Sequence, residues 1–353
     1  MAFGEIEARI EEAIRLYPRP RYMGSKYRLL PWIAGVLGEL RFDSALDAFG
    51  GSGCVSYLLK RMGKRVVSND FLNLCHQPAL ALIENSRHRL TPRWVDTLTR
   101  ANAAPGRFIE DTFTGVYFTP TDLRFLDNTW ANISALPTRY HRGLALAALG
   151  RACLKRQPRG VFTVTGTAAR HDDGRRDLRL SIEEHFLEAV TLYNDAVFDN
   201  GCKNKAVRGD VFAAPADVDL VYMDPPYVPR ADDNCYIKRY HFLEGLASYW
   251  RDEGTAVLAE TASRKIAKRF TPFSYKRTAA DAFDRMFARF RESALVLSYS
   301  SNGYPDLDVL TDLMGKYKGK VVVYERPHRY HFGTHAGVAE ERAAVREYLI
   351  VGV

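Results

Sequence analysis

The sequence predicts an α/β fold, a Rossmann-like, doubly wound and mostly parallel sheet that is interrupted by a mainly helical insertion. An apolar strand at residues 42–46 runs into a glycine-rich turn at 47–53, and a helical pattern follows at 55–60. A second short strand at 66–70 ends in an acid, Asp70. Strands and helices alternate again from residue 206 onward, which is typical of a sheet with helices on both faces.

Composition limits the class of protein. The chain has 353 residues, a formal net charge of +8, 46% hydrophobic and 26% charged residues, which is typical of a globular protein of one large domain or two. We find no apolar run of the ~20 residues that a membrane span needs. Residues 1–15 are charged and amphipathic, unlike a signal peptide, so we expect a cytoplasmic protein.

The five cysteines are scattered along the chain, and none forms a Cys-x-x-Cys pair or alternates with histidine at zinc spacing. We therefore expect reduced thiols and no metal site. The positive net charge is compatible with a polyanionic partner without requiring one.

Two helices are predicted before the first strand. Residues 5–16 place Ile6, Ile10 and Ile14 at helical spacing. A second helix, 29–40, tolerates Pro31 in its first turn. Between them, Gly24-Ser25-Lys26 reads on local grounds as a helix start with an exposed lysine.

The long segment 75–205 has a different pattern. Helical runs occur at 78–90, 94–101, 120–135, 139–156 and 182–198. Residues 161–165 and 178–181 flank Asp173-Gly174 and predict a β-hairpin or longer β-loop. Because ordinary connections between strands are short, we predict a separate inserted domain at 75–205, with residues 1–74 and 206–353 forming the other domain.

Arginine and lysine are concentrated in part of this insertion. Clustered arginines beside a β-loop suit contact with phosphates and with guanine edges, although a single arginine is more often a solvated surface residue. The predicted DNA-binding residues are Arg151, Lys155, Arg156, Arg159, Arg170, Arg175 and Arg176.

The sheet resumes at 206–212, and the next strand, 220–223, ends abruptly in Asp224-Pro225-Pro226-Tyr227. Consecutive prolines fix their own backbone and keep the preceding residue out of the helical region. The stiff turn therefore offers a carboxylate, free carbonyls and an aromatic face, a set that suits a planar exocyclic amine. The same residues could also be an ordinary loop after a buried strand.

The rest of the chain predicts structural roles. Phe283, Phe287 and Phe290 lie on one face of a helix at 279–291 and are expected in the core. Strands are predicted at 294–299, 320–324 and 348–353. His241, near the start of a helix at 240–251, is expected to hold structure rather than act as a base.

These motifs together resemble the N6-adenine DNA methyltransferases related to the DNA adenine methylases. Four pieces occur in the family's order. They are residues 21–26 with 29–33, residues 47–53, residues 69–70, and residues 224–227 followed by 240–244. Segments 298–303 and 347–350 also resemble the family. Residues 75–205 match poorly. The resemblance implies S-adenosylmethionine as cofactor, the Rossmann-like sheet as catalytic domain, and the insertion as the DNA target-recognition domain.

The resemblance also implies roles for single residues. Tyr22, Met23, Gly24 and Lys26 would close over the methionine end of the cofactor, with Lys26 on its carboxylate. Asp47 would face the methionine amino group, and Asp70 would take the ribose. The remaining cofactor contacts would be Phe49, Gly50, Gly51, Ser52, Gly53, Asp210 at the adenine amine, and Phe212. The catalytic residues would be Asp224, Pro225, Pro226 and Tyr227. Asp224 and the Pro225 carbonyl would accept the two N–H bonds of the target amine, and Tyr227 would stack on the base.

The expected function is site-specific transfer of a methyl group to the N6 amine of adenine in duplex DNA, by base flipping and direct transfer. The chain would be a monomer of bacterial or phage origin, the modification enzyme of a restriction-modification or other DNA-marking system, with a partner endonuclease possible. Two alternatives stay open. One is an N4-cytosine DNA or RNA adenine methyltransferase. The other is a DNA-binding subunit with the same fold that has lost transfer.

Overall fold

Seven strands of the described chain form one sheet. The structure is a computed structural model that describes residues 3–19, 21–166, 174–229, 235–329 and 344–353. The strands of the sheet are β1 Ser44–Asp47, β2 Arg65–Asp70, β3 Lys205–Arg208, β4 Leu220–Met223, β6 Ala294–Ser300, β8 Val321–Arg329 and β9 Ala344–Gly352, and a separate two-stranded ribbon pairs β5 Val228–Pro229 with β7 Gly303–Tyr304.

The strand order is β3-β2-β1-β4-β6-β9-β8. The first five strands of that order are parallel, and β9 runs antiparallel to both β6 and β8. The chain moves outward from β1 to β2 and β3 on one side, and from β4 to β6 on the other. The order therefore reverses between β1 and β4, and ligands of such sheets bind at the carboxyl ends of the strands at this point. The predicted doubly wound, mostly parallel sheet is confirmed.

Helices cover both faces of the sheet. They are α1 Phe3–Leu16, α2 Leu30–Gly38, α3 Cys54–Arg61, α4 Asn73–Ala79, α5 Pro92–Thr99, α6 Phe108–Phe113, α7 Pro120–Ile133, α8 Arg139–Arg156, α9 Arg176–Arg179, α10 Ile182–Ala196, α11 Tyr236–Ser248, α12 Lys276–Arg289 and α13 Leu307–Gly315. Local signals explain several starts. Ser181 and Glu184 form a capping box at α10, and the Thr119 side chain caps α7 just before Pro120. Within the described ranges, we find no helix long and apolar enough to cross a membrane.

One face of the sheet is packed by α12 and α13. Phe283, Phe287 and Phe290 are buried there against Leu295 and Leu297 of β6, so their predicted core role is confirmed. Burying an aromatic or leucine side chain of this kind contributes about 1.5–3 kcal/mol.

The other face is packed by α1–α3, by α11 and by the helices of the 75–205 segment. Tyr57 of α3, Phe113 of α6, Phe186 of α10 and Val296 of β6 belong to one continuous buried cluster. The helical segment thus shares a core with the sheet. Its separation as a domain of its own stays a prediction.

The structure corrects the predicted β-hairpin. Residues 161–164 are bends, residues 165 and 166 have no regular secondary structure, and residues 176–179 are a helical turn; Asp173 lies outside the described residues. Phe162 is buried, its N–H donates to the Arg239 carbonyl over 2.8 Å, and the Gly166 N–H donates to the Val116 carbonyl over 2.7 Å. Contacts with the helices therefore override the local strand preference of these residues.

Two further elements end earlier than predicted. The helix expected at 78–90 begins at Asn73, has Pro78 inside it and continues as a single π-helical stretch, Leu80–Glu84. Since proline removes a backbone donor and crowds the preceding turn, the regular helix does not continue. The strand expected at 206–212 stops at Arg208, because the Asp210 side chain accepts the Phe212 N–H over 2.8 Å and starts a 3-10 turn at 211–213.

Candidate active site

The glycine-rich turn after β1 is fitted closely to the end of β2. The Gly50 N–H donates to the Asn69 carbonyl and the Gly51 N–H to Asp70 Oδ2, both over 2.8 Å. A Cβ on Gly50 would lie 2.8 Å from Ser68 Oγ. Gly53 has φ of 80° where it begins α3, a conformation that side chains other than glycine rarely adopt. The turn thus needs glycine both for space and for backbone geometry.

Asp47 is a buried acid at the end of β1. Its Oδ2 accepts the Ser56 hydroxyl over 2.6 Å, while Oδ1 is buried and has no hydrogen-bond partner among the described residues. Burial raises the pKa of Asp47 to about 7, and the nearby charges of Asp224 and Asp70 add to the rise. A buried carboxylate oxygen without a donor is exceptional, and it has the capacity to accept hydrogen bonds from a bound cationic group.

Asp70 lies at the end of β2. It accepts backbone N–H groups from Gly51 and Leu72, each over 2.8 Å. Burial nevertheless raises the pKa of Asp70 to about 6. Both acids are therefore destabilised in their charged forms until a ligand supplies donors or positive charge.

Asp224 follows the end of β4. The Lys26 ammonium lies 2.8 Å from Asp224 Oδ1, and it also donates to the Gly24 carbonyl over 3.3 Å. Burial raises the pKa of Asp224, the Lys26 charge opposes that rise, and the charge of Glu347 adds to it. The lysine predicted to hold the cofactor is thus bonded to the predicted catalytic acid in this state.

The two motifs meet in one cavity of about 310 Å³. It lies at the carboxyl ends of β1, β2 and β4, where the strand order reverses. The residues predicted from sequence that line it are Tyr22, Gly24, Lys26, Asp47, Phe49, Gly50, Gly51, Ser52, Asp70, Asp224 and Pro226.

Six predicted residues lie outside this lining: Met23, Gly53, Asp210, Phe212, Pro225 and Tyr227. The Phe212 ring stacks on Phe273 at 5.9 Å, and the Arg285 guanidinium lies 4.5 Å from the centre of the Phe212 ring. The Tyr227 ring packs edge-on against Tyr299 at 5.4 Å. Their assigned contacts with cofactor and base stay predictions.

The cavity also has walls that sequence reasoning missed. Tyr236 of α11 lines it and stacks on Tyr22 at 5.6 Å. A second missed group, from the segment before α12, comprises Lys268, Arg269, Thr271, Ser274 and Tyr275. A local signal was present, because residues 264–277 contain six cations and no acid.

His241 has the structural role predicted for it. It is fully buried, and its Nε2 lies 2.9 Å from the Phe162 carbonyl and 3.0 Å from the Tyr117 hydroxyl. Burial lowers the pKa of His241 to about 4. It is absent from the cavity lining, so it cannot take a proton from a group bound there.

The predicted DNA-binding cluster is partly occupied by internal ion pairs. Lys155 lies 2.6 Å from Asp177, Arg156 lies 3.3 Å from the buried Asp122, and Arg176 pairs with Glu188. The Arg175 guanidinium donates to the Pro158 carbonyl over 2.9 Å. Arg151 lines a smaller second cavity, Arg159 is exposed and Arg170 lies outside the described residues.

Comparison with known proteins agrees with this geometry. The chain is 31% identical to "Type II methyltransferase M2.HphI" of Haemophilus parahaemolyticus, over 89% of this chain and 92% of that protein. It is 24% identical to "Modification methylase LlaI" of Lactococcus lactis subsp. lactis, over 94% of this chain and 54% of that longer protein. Residues 22–291 match the family described as D12 class N6 adenine-specific DNA methyltransferase. This chain therefore belongs to the D12 class of N6 adenine-specific DNA methyltransferases.

Proposed function

We propose that the cavity binds S-adenosylmethionine and that the chain transfers its methyl group to the N6 amine of adenine at a specific site in duplex DNA. One observation carries the proposal. A single cavity contains the glycine turn with the unpartnered Asp47 Oδ1, the Asp70 carboxylate, and Asp224 of the Asp-Pro-Pro-Tyr turn.

The acids of the cavity fit this donor. Asp47 would hold the ammonium group and Asp70 the ribose hydroxyls. Three carboxyl groups share the cavity, and burial raises the pKa of each. A ligand with a sulfonium and an ammonium group relieves that cost by pairing with them. When bound, S-adenosylmethionine supplies an electrophilic methyl group.

Lys26 has two possible partners within this proposal. Its ammonium is bonded to Asp224 Oδ1, and its charge opposes the rise in the pKa of that carboxyl group. The predicted contact between Lys26 and the donor carboxylate requires the side chain to leave Asp224. Binding of the donor would then release Asp224 for the target amine.

Asp224 would act by holding the amine. The lone pair of the adenine amine is delocalised into the ring, and hydrogen bonds to Asp224 and to the Pro225 carbonyl favour a tetrahedral nitrogen. The carboxylate also stabilises the positive charge that develops on this nitrogen. Tyr227 is the predicted stacking partner, and Tyr236 offers a second aromatic ring in the cavity lining.

A stacked base cannot reach a cavity at the edge of the sheet, so the target adenine must be flipped out of the duplex. The arginine cluster of the helical segment stays the proposed target-recognition surface. The type II methyltransferase and modification methylase names of the relatives support a role in a restriction-modification system. We further propose that the enzyme is a cytoplasmic monomer and that it acts alongside a cognate endonuclease.

The test is transfer of labelled methyl from S-adenosylmethionine to duplex DNA of random sequence, followed by nucleoside analysis. We expect N6-methyladenine, and mapping the labelled sites gives the recognition sequence. Asp224→Ala should abolish transfer. The dissociation constant of the donor should change by no more than about threefold, which corresponds to ~0.7 kcal/mol. Asp281→Asn, at a largely exposed acid of α12, is the matched control and should keep full activity.

Other outcomes would redirect the proposal. Label on cytosine would keep the donor site and replace the acceptor, and label on RNA alone would replace the substrate. Donor binding with no transfer to either nucleic acid would indicate a subunit that has lost the reaction. Methylation retained by Asp224→Ala would remove Asp224 from its role.

A further inference from the structure

The segment at residues 264–277 combines positive charge with a place on the rim of the cavity. Its six cations are Arg264, Lys265, Lys268, Arg269, Lys276 and Arg277, and it contains no acid. Five of its residues, Lys268, Arg269, Thr271, Ser274 and Tyr275, line the cavity that contains Asp224. The segment thus places positive charge at the wall of the cavity into which a polyanion would have to deliver a base.

Phe270 is the most exposed of the large hydrophobic side chains described. It is 67% exposed, and its ring stacks on that of Tyr275, itself 48% exposed, at 5.2 Å and 19°. The pair thus presents a flat aromatic surface to solvent, directly beside the cavity mouth. Aromatic faces of this kind are stacking platforms for nucleic acid bases.

The backbone around Phe270 is anchored on both sides. The preceding Arg269 lies 3.2 Å from the carboxylate of Glu244, which is fully buried in α11. Three residues further on, the buried Phe273 packs edge-on against Phe49 of the glycine turn at 5.3 Å. Phe270 is therefore held out from the surface before any ligand binds, so little ordering is needed on binding.

The cations beyond Phe270 are available for phosphate contact. Within the described chain, Lys276 and Arg277 have no carboxylate in ion-pair range, and Lys276 lies 5.8 Å above the Tyr304 ring. In contrast, Lys155, Arg156 and Arg176 of the helical segment are already paired with acids. Charge complementarity therefore favours residues 264–277 as a DNA contact.

We propose that residues 264–277 form a DNA-binding surface in which Phe270 stacks against a base next to the flipped adenine while Lys276 and Arg277 contact backbone phosphates. This inference rests on the proposed function, since it requires DNA as the substrate. Apolar side chains that insert between base steps stabilise unstacked DNA in other proteins. Phe270 would fill the gap that the extruded adenine leaves.

The experiment measures binding to a duplex that carries the mapped methylation site, by fluorescence anisotropy with S-adenosylhomocysteine present. Phe270→Ala should weaken this binding about 5- to 100-fold, and Phe270→Trp should restore most of it. Val323→Ala, at an apolar and 38% exposed position of β8 outside the helical segment, is the control and should bind as the wild type does. Donor affinity, measured separately, should be unchanged in all three variants.

A second pair of variants tests the phosphate contacts. Lys276→Ser with Arg277→Ser should reduce the slope of log K against log salt by about 1.8, because each phosphate contact contributes about 0.9. Arg41→Ser with Lys320→Ser removes the same charge near the amino ends of β1 and β8, away from the cavity, and should leave the slope nearly unchanged.

The outcomes separate the two proposals. Wild-type protein that methylates DNA, combined with Phe270→Ala and Lys276→Ser/Arg277→Ser variants that bind DNA normally, overturns this surface and leaves the proposed function intact. Normal DNA binding by the Phe270 and Lys276/Arg277 variants, together with weaker binding by Arg159→Ser, would assign the DNA contact to the helical segment and equally overturn the surface at residues 264–277. Wild-type protein that neither binds nor methylates DNA overturns both.

Discussion

Asp47 makes donor affinity depend on pH. Burial places the pKa of Asp47 at about 7 in the unliganded protein, and only its charged form can pair with the donor's ammonium group. Above pH 7 the carboxylate is ready for the ligand. Below pH 7 a proton must first be removed, so the dissociation constant of S-adenosylmethionine should rise about tenfold for each unit, a cost of about 1.4 kcal/mol.

The assay is isothermal titration calorimetry from pH 5.5 to pH 7.5, in buffers of different ionisation enthalpy. At pH 7, where Asp47 is about half protonated, binding should release about half a proton. Asp70, with its pKa at about 6, should steepen the dependence below pH 6 if the ribose hydroxyls prefer its charged form. The range stops below the ~7.7–8.0 pKa of an α-amino group, so the amine of the ligand is mostly charged throughout.

Two controls isolate the ammonium contact. 5′-Methylthioadenosine has the nucleoside and lacks the amino acid end, so its affinity should not follow the titration of Asp47. Asp47→Asn should bind S-adenosylmethionine weakly at every pH and release no proton near pH 7. A dissociation constant for the wild type that stays constant from pH 5.5 to 7.5 would refute the reasoning.

Two other predictions concern close packing and burial. Gly50→Ala places a Cβ 2.8 Å from Ser68 Oγ and should cost about 1–3 kcal/mol of donor affinity or of stability. Calorimetry measures the first and urea unfolding the second. Gly35→Ala, with open space around it, should be neutral or stabilising, and equal effects of the two substitutions would contradict the argument. Lys60 is buried, donates to two backbone carbonyls, and burial lowers its pKa to about 7. Because the unfolded lysine binds a proton up to pH ~10.4, the free energy of unfolding should rise by about 2 kcal/mol from pH 7 to pH 9. Urea titrations should show this rise in the wild type and no such rise in Lys60→Met. If the free energy of unfolding changes with pH in the same way in both proteins, the buried lysine is not its cause.

Sequence reasoning succeeded where local chemistry determines structure. The 139–156 helix has the predicted bounds, and β1, β2 and β4 occur where short apolar runs meet glycine or proline. Local signals identified the acids Asp70 and Asp224, and the family resemblance assigned Asp47. The three lie close together because the carboxyl ends of neighbouring parallel strands converge. Eleven of the predicted residues line one cavity, but three of them, Tyr22, Gly24 and Lys26, lie before β1 and were assigned through the family resemblance.

The rest depends on contacts between distant parts of the chain. The strand preference of residues 161–165 lost to packing on the helices, as the bond from Phe162 to Arg239 shows. Two distant contacts position the rim residues before α12. Arg269 pairs with Glu244, about 25 positions earlier in the chain. Phe273 packs on Phe49, about 220 positions earlier. No local pattern specifies such pairs. The ion pair of Lys26 with Asp224 likewise joins residues 198 positions apart.

The shared core has a consequence for how such enzymes can diversify. The Tyr57 hydroxyl of α3 donates to the Ala196 carbonyl over 2.8 Å, Lys60 donates to the Leu82 carbonyl, and the Arg61 guanidinium lies 3.6 Å from the Phe198 ring. The helix that follows the glycine turn therefore depends on the helical segment for its own partners. A sequence exchanged for residues 75–205 would have to keep the carbonyls of residues 82 and 196 and the Phe198 ring in place for α3. Substitutions on the outer surface of this segment are free of that constraint, whereas those on the surface facing α3 are not.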